Sequence, residues 1–181
     1  ANCQSDVFTG LYTAFGVGHT ITCGLKMDGN VLCRQGSPSE TNLVNGAFVD
    51  LSVGYEHACA IKTNGELQCW GNNTLGESSP PPGIFSRVFS GNGASCALRA
   101  LDQQPLCWGN LVATPPPAAA FTSLSVGNGH VCGLKPTDEI TCWGTNEFGQ
   151  ANAPDELNYQ AVTCGDEHSC AINASGEITC W

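Results

Sequence analysis

Ten of the twelve cysteines in this 181-residue chain fall into five pairs: Cys23/Cys33, Cys59/Cys69, Cys96/Cys107, Cys132/Cys142 and Cys170/Cys180. Within the pairs the separations are ten, ten, eleven, ten and ten residues, and the first members recur every 36 to 38 residues. A period of that length marks a repeat architecture, in which each unit is one small block that must stack on its neighbours to bury a core. Every unit has the same grammar. A short β-branched or aromatic run comes first, then a Gly, then a second run ending in Cys, a three- or four-residue turn, and a third run ending in the second Cys, followed by Trp in four of the five units. No stretch sustains a helical period, so the reading is all-β.

Turn chemistry sets the strand register. If Cys59 lies opposite Cys69, Lys62 faces Glu66 and Thr63-Asn64-Gly65 is the loop. A three-residue hairpin loop wants a residue tolerant of positive φ in third place, which Gly65 supplies. The same rule leaves Met27-Asp28-Gly29, Pro136-Thr137-Asp138 and Ala174-Ser175-Gly176 in three other units. In the third unit the cysteine spacing grows by one and the loop becomes Ala100-Leu101-Asp102-Gln103. Loop length and cysteine spacing change together, as a cross-strand disulfide requires. Alternation then puts Cys59, Ile61, Leu67 and Cys69 on one face of the sheet, with Ala60 and Gln68 on the other. Zinc fits poorly: its ligand pairs usually stand two to four residues apart, whereas the nearest cysteines here, Cys164 and Cys170, stand six apart. Twelve cysteines read as disulfides therefore point to an oxidising, extracellular setting. The sequons at Asn72 and Asn173 suit a secreted glycoprotein.

Charge removes other classes. Six basic and sixteen acidic residues give a net charge of −10, and phosphate binding needs clustered Lys and Arg, so a nucleic-acid binder is excluded. No apolar run approaches the length that spans a bilayer, and no charged-then-apolar leader is seen, so an exported protein would be represented by its mature chain.

The recurring set is seen in full at Gly54, His57, Cys59, Gly65, Cys69, Trp70 and Gly71. It resembles the regulator of chromosome condensation repeat family, in the disulfide-bearing form of secreted bacterial relatives and of crinkly-type receptor ectodomains. The resemblance covers about residues 12–181, with departures at Ile21, Ala94 and Arg34. It implies a β-propeller with one repeat per blade and the first run innermost. The expected organisation is one domain over 1–181, with a closing segment at 1–11 and blades at about 12–36, 48–72, 85–110, 121–145 and 159–181. Relatives usually close with seven blades, and this chain has five units. The two cysteines outside the pattern, Cys3 and Cys164, would join the first and last blades if the ring closed on five. A Cys3–Cys164 bridge and a closed five-bladed ring are therefore expected, with residues 1–8 supplying the last blade's outer strand.

Each candidate site competes with a structural role. His57, His130 and His168 share one repeat position that Ile21 and Ala94 also occupy, which favours buried, hydrogen-bonded framework groups over catalysis. His19 is offset and aligns with Tyr55. The Trp residues at 70, 108, 143 and 181 recur regularly, which favours packing between blades over sugar stacking. Lys26, Lys62, Arg99 and Lys135 also follow the repeat and face polar or acidic partners, which argues against an anion-binding ring. No nucleophile elbow, zinc-protease or phosphate-loop motif occurs, so no catalytic residue is assigned and the chain is read as a non-enzyme. The turn after each innermost run varies most. His19, Tyr55, Glu56, Asn92, Asn128, Asp166 and Glu167 would gather on one rim of the central channel. Turn propensity alone explains many of these residue types. As a binding set they suit a protein loop or glycan, and the carboxylates would suit Ca²⁺. The expected function is a secreted, non-catalytic recognition module for an extracellular protein or glycan. The rival expectations are a self-assembling structural subunit of a filament, coat or matrix, and a lectin.

Overall fold

The computed structural model describes residues 8–35, 41–111, 115–156 and 158–181. Each repeat folds into one antiparallel sheet. The first sheet is β1 (Tyr12–Val17), β2 (Ile21–Lys26), β3 (Val31–Gln35) and β4 (Thr41–Val44). The second is β5 (Phe48–Val53), β6 (His57–Lys62) and β7 (Leu67–Gly71), and the third is β8 (Phe85–Ser90), β9 (Ala94–Arg99) and β10 (Pro105–Gly109). The fourth is β11 (Ser123–Val126), β12 (His130–Leu134) and β13 (Ile140–Gly144), and the fifth is β14 (Tyr159–Cys164), β15 (Ser169–Asn173) and β16 (Ile178–Cys180). No helix among the described residues is long and apolar enough to cross a membrane.

The hairpin turns hold the register. Cys59 lies opposite Cys69 and Ile61 opposite Leu67, and the Lys62 N–H donates to the Glu66 carbonyl at 2.9 Å. Gly65 has φ 85°, in the left-handed region that other residues enter only at a cost. Asp138 and Gln103 take the corresponding places in the fourth and third hairpins at φ 61° and 56°. All five hairpin disulfides are formed: Cys23–Cys33, Cys59–Cys69, Cys96–Cys107, Cys132–Cys142 and Cys170–Cys180.

Packing runs from sheet to sheet. The face of the second sheet that carries Cys59 and Ile61 meets Phe85, Val88 and Ala97 of the third. Its opposite face, with Leu51, Ala58 and Ala60, meets Ile21, Leu25 and Val31 of the first. Parallel clusters join the third sheet to the fourth and the fourth to the fifth. The core is thus four interfaces, each a trailing face laid on the next sheet's leading face. The Trp residues belong to these interfaces. Trp70 sits against Phe48 with ring centroids 6.2 Å apart, and its Nε1–H donates to Cys33 Sγ of the preceding sheet at 3.1 Å. Trp143 is buried against Phe121 at 5.6 Å.

Closure on five blades is not seen among the described residues. The first strands of successive sheets touch in order, from β1 to β5, β8, β11 and β14, and no comparable contact joins the fifth sheet to the first among the described residues. The consequence shows in exposure. Cys23, Cys59, Cys96 and Cys132 are fully buried, whereas Cys180 is exposed and Ile178 is 70% exposed. At the other end Phe15 is 80% exposed, while Leu51, its counterpart in the second repeat, is 9% exposed. Among the described residues, one trailing and one leading face are left without a mate. The expected Cys3–Cys164 bridge is not among the five disulfides. Cys164 carries a free thiol, and Cys3 lies outside the described residues, as do 1–7 of the expected closing segment.

Candidate functional site

Five inner turns converge at one end of the innermost strands. The first four begin with a Gly packed against the next sheet's backbone, whereas Gly165 meets only His168 of its own turn. A Cβ on Gly54 would lie 2.5 Å from the Gly91 carbonyl oxygen, and one on Gly127 equally close to that of Gly165. Hydrogen bonds then link turn to turn. The His19 N–H donates to the Tyr55 carbonyl at 2.8 Å, that of Tyr55 to Gly91 at 3.1 Å, and that of Asn92 to Gly127 at 3.3 Å. Side chains strengthen the same seam, since the Ser90 N–H donates to Ser52 Oγ at 2.8 Å and the Cys164 N–H to Ser125 Oγ at 2.9 Å.

The turns enclose an open depression of about 470 Å³. Of the seven rim residues expected from sequence, His19, Tyr55, Asn92 and Asp166 line it. The His19 and Tyr55 rings stack, 4.4 Å apart and 6° from parallel, and both are exposed. Glu56, Asn128 and Glu167 are not among its walls. Glu56 is drawn toward the next connecting loop, where its Oε2 accepts from Asn72 Nδ2 at 3.4 Å and its carbonyl from the Asn72 N–H at 2.9 Å. Below the rim the lining is apolar, with Val17, Val53 and Val126. The result is a shallow bowl with an aromatic pair and a carboxylate at its edge.

The framework histidines are seam residues. His57 Nε2 meets Ser95 Oγ at 2.7 Å, and His130 Nε2 meets Ser169 Oγ at 3.0 Å, each pair bridging a sheet to the next. Both are buried, and burial pushes both imidazoles below the usual histidine range, so they are neutral at pH 7. His168 departs from the expectation. It is exposed, and no further sheet among the described residues covers the face that carries it.

Two buried side chains were not singled out by sequence reasoning. Glu77 and Gln150 are buried and tie down the connecting loops, accepting from the Leu75 N–H at 2.7 Å and the Phe148 N–H at 2.9 Å. The signal was present in the recurrence of Asn73-Thr74-Leu75-Gly76-Glu77 as Asn146-Glu147-Phe148-Gly149-Gln150. Cys164 was singled out only as a bridge partner for Cys3, and its surroundings were not legible from sequence. Its thiol lies beside the Cys132–Cys142 disulfide, and His130, Cys132 and Cys164 are the one set of His, Cys or acidic residues close enough to share an ion among the described residues. Cys132 Sγ is tied up in the disulfide and has no thiolate to offer a metal.

The model of the regulator of chromosome condensation (RCC1) repeat matches residues 48–77, 121–150 and 159–181. No curated protein sequence matches the chain. Among solved structures, the CRINKLY WD40 ectodomain of the Arabidopsis thaliana receptor kinase ACR4 superposes with a TM-score of 0.78 at 24% identity, over 94% of this chain and 63% of that one. The ectodomain of the Physcomitrella patens receptor kinase CR4 gives 0.80 at 26%, over 94% and 50%. Yeast RCC1 (Prp20), solved bound to Kap60, gives 0.78 at 14%, over 94% and 56%. The chain thus spans half to two thirds of the length of these neighbours. They share its propeller-type repeat fold.

Proposed function

We propose that this protein, an RCC1-type repeat chain, is a secreted, non-catalytic recognition module that binds an extracellular protein or glycan at the mouth of its inner turns. The observation that carries this reading is the bowl itself. His19, Tyr55, Asn92 and Asp166 come from four different sheets and meet at one depression. A stacked aromatic pair offers a flat apolar face, and the adjacent amide and carboxylate offer directional partners, which is the chemistry of a polar recognition site. Receptor ectodomains among the structural neighbours and five disulfides agree with an extracellular setting.

The test is a glycan array and a panel of extracellular proteins probed with the whole chain, wild type beside Tyr55→Ala and Asp166→Asn. Binding that falls about tenfold or more in both variants, at unchanged melting temperature, supports the site. Equal binding by all three proteins places recognition elsewhere. Secretion from eukaryotic cells, with a glycosidase-sensitive mass shift lost in Asn72→Gln and Asn173→Gln, tests the setting.

A second reading has its own support. Two faces unmated among the described residues expose Phe15 and Ile178 at opposite ends of the sheet series, which favours self-association into a structural assembly. Sedimentation velocity separates the readings: a monomer across a hundredfold range of concentration (on the order of 1–100 μM) counts against assembly.

A further inference from the structure

Cys164 ends the innermost strand of the fifth sheet, at the bowl and inside the interface with the fourth. Its Sγ lies within 4.8 Å of Cys132 Sγ, and Cys132 is bonded to Cys142. The Ser169 hydroxyl sits between the two sulfurs, 3.6 Å from Cys164 Sγ and 3.5 Å from Cys132 Sγ, and also meets His130 Nε2. All three cysteines share one apolar cluster. This is a free thiol placed against a disulfide across an interface between sheets, a different matter from an isolated cysteine.

We propose that Cys164 and the Cys132–Cys142 bridge form a thiol–disulfide exchange site, which moves one staple from within the fourth sheet to between the fourth and fifth. The Cys164 thiol loses its proton, and the thiolate sulfur attacks Cys132 Sγ. A Cys132–Cys164 bond forms as the Cys132–Cys142 bond breaks, and Cys142 leaves as a thiolate that takes up a proton. Two sulfurs are bonded and one is a thiol before and after, so no oxidant or reductant is consumed. The product joins two sheets covalently where only packing and hydrogen bonds joined them.

The surroundings set the rate. Burial pushes the Cys164 thiol above its usual range, so thiolate is scarce at neutral pH and the step accelerates as pH rises. The titratable groups around the cluster are His130 from β12 and, from the fifth sheet's turn, Asp166 and His168. His130 is neutral and contributes no positive charge to draw the proton off. Access is open, because Cys164 is half-buried and lines the bowl.

The experiment uses the whole oxidised chain. It is held without added thiol in mildly alkaline buffer, quenched in acid, alkylated with N-ethylmaleimide in denaturant, digested and mapped by mass spectrometry. With any label at Cys3 set aside, the expected result is label divided between Cys164 and Cys142, with a Cys132–Cys164 linked peptide in amount equal to the Cys142 label. Label at Cys142 should stand at least about tenfold above that in Cys164→Ser, where no attacking thiol remains. Label at Cys164 and none at Cys142, with Cys132–Cys142 intact, overturns the proposal, and so does a Cys3–Cys164 linked peptide. Cys142→Ser, refolded with oxidised glutathione as the two-electron oxidant, gives a second reading, since it should fold with Cys132 and Cys164 bonded to each other. A folded variant in which both alkylate also overturns it.

Discussion

His57 shows how one side chain serves two sheets. Its imidazole is buried and meets Ser95 of the next sheet at 2.7 Å. Removing the ring leaves a buried hydroxyl with a weakened set of partners and a void beside it. His57→Ala should therefore lower unfolding free energy by about 1–3 kcal/mol, measured by urea denaturation. His168→Ala, on an uncovered face, should change it by less than about 0.5 kcal/mol. Proton linkage has a definite sign. Burial lowers the folded pKa of His57 and His130, so below about pH 6.5, the ordinary histidine value, the unfolded chain binds more protons than the folded one. Stability present above that pH is lost as the pH falls toward the folded values. The slope of melting temperature against pH in that window should flatten in His57→Ala, and an unchanged slope would mean that His57 is not buried neutral. Glycine positions sort the same way. Gly127→Ala drives a Cβ against the Gly165 carbonyl, while Gly176→Ala meets no atom within 4 Å and pays only for its φ of 84°. Gly127→Ala should be the more damaging by at least about 1 kcal/mol.

At the scale of the element, each hairpin is set by local chemistry. Turn length, a left-handed third position and a cysteine pair in register make one solution far better than its neighbours, because a one-residue slip would turn every side chain to the wrong face. Each bridge closes a short loop and adds roughly 2–3 kcal/mol in the chain-entropy model. The five bridges are not equally protected. Four have a fully buried first cysteine, and the fifth lies on the open trailing face with Cys180 exposed. Graded reduction with a phosphine, followed by mass mapping, should open Cys170–Cys180 first and the buried four together near global unfolding. Simultaneous loss of all five would contradict an uncovered fifth face. The third hairpin was the hard case for sequence reasoning. Its longer loop was legible from the cysteine spacing, but Gln103 as the left-handed residue, at φ 56°, was not. Gln103 is held there by bonds from its Nε2 to the Arg99 and Ala100 carbonyls, which propensity does not register.

At the scale of the molecule, every interface lays a trailing face on a leading one, and the seams differ in kind. His57 faces Ser95 and His130 faces Ser169, whereas Ile21 shares a cluster with Ala58, and Ala94 with Val131. Polar and apolar seams alternate, and each residue is matched by the repeat that follows it. Among the described residues the ends leave a trailing face with Ile178 and a leading face with Phe15 unmatched. If those faces drive association, Phe15→Ser with Ile178→Ser should abolish any concentration-dependent increase in sedimentation coefficient. Monomer stability should hold within about 0.5 kcal/mol, since both side chains are already exposed. An assembly that survives both changes uses another surface.

The amino-acid sequence by itself determined the hairpins, their register, their five disulfides and the repeat that stacks them, because each depends on residues close together in the chain. Spacing, turn residues and alternation are local quantities, and a strand has only two faces to choose between. Only the tertiary structure decided which rim residues share a bowl, which histidine finds a serine, and that Cys164 stands beside another sheet's disulfide. Those facts depend on how one sheet is rotated against the next. That angle is set by the summed packing of four interfaces, and no single repeat encodes it.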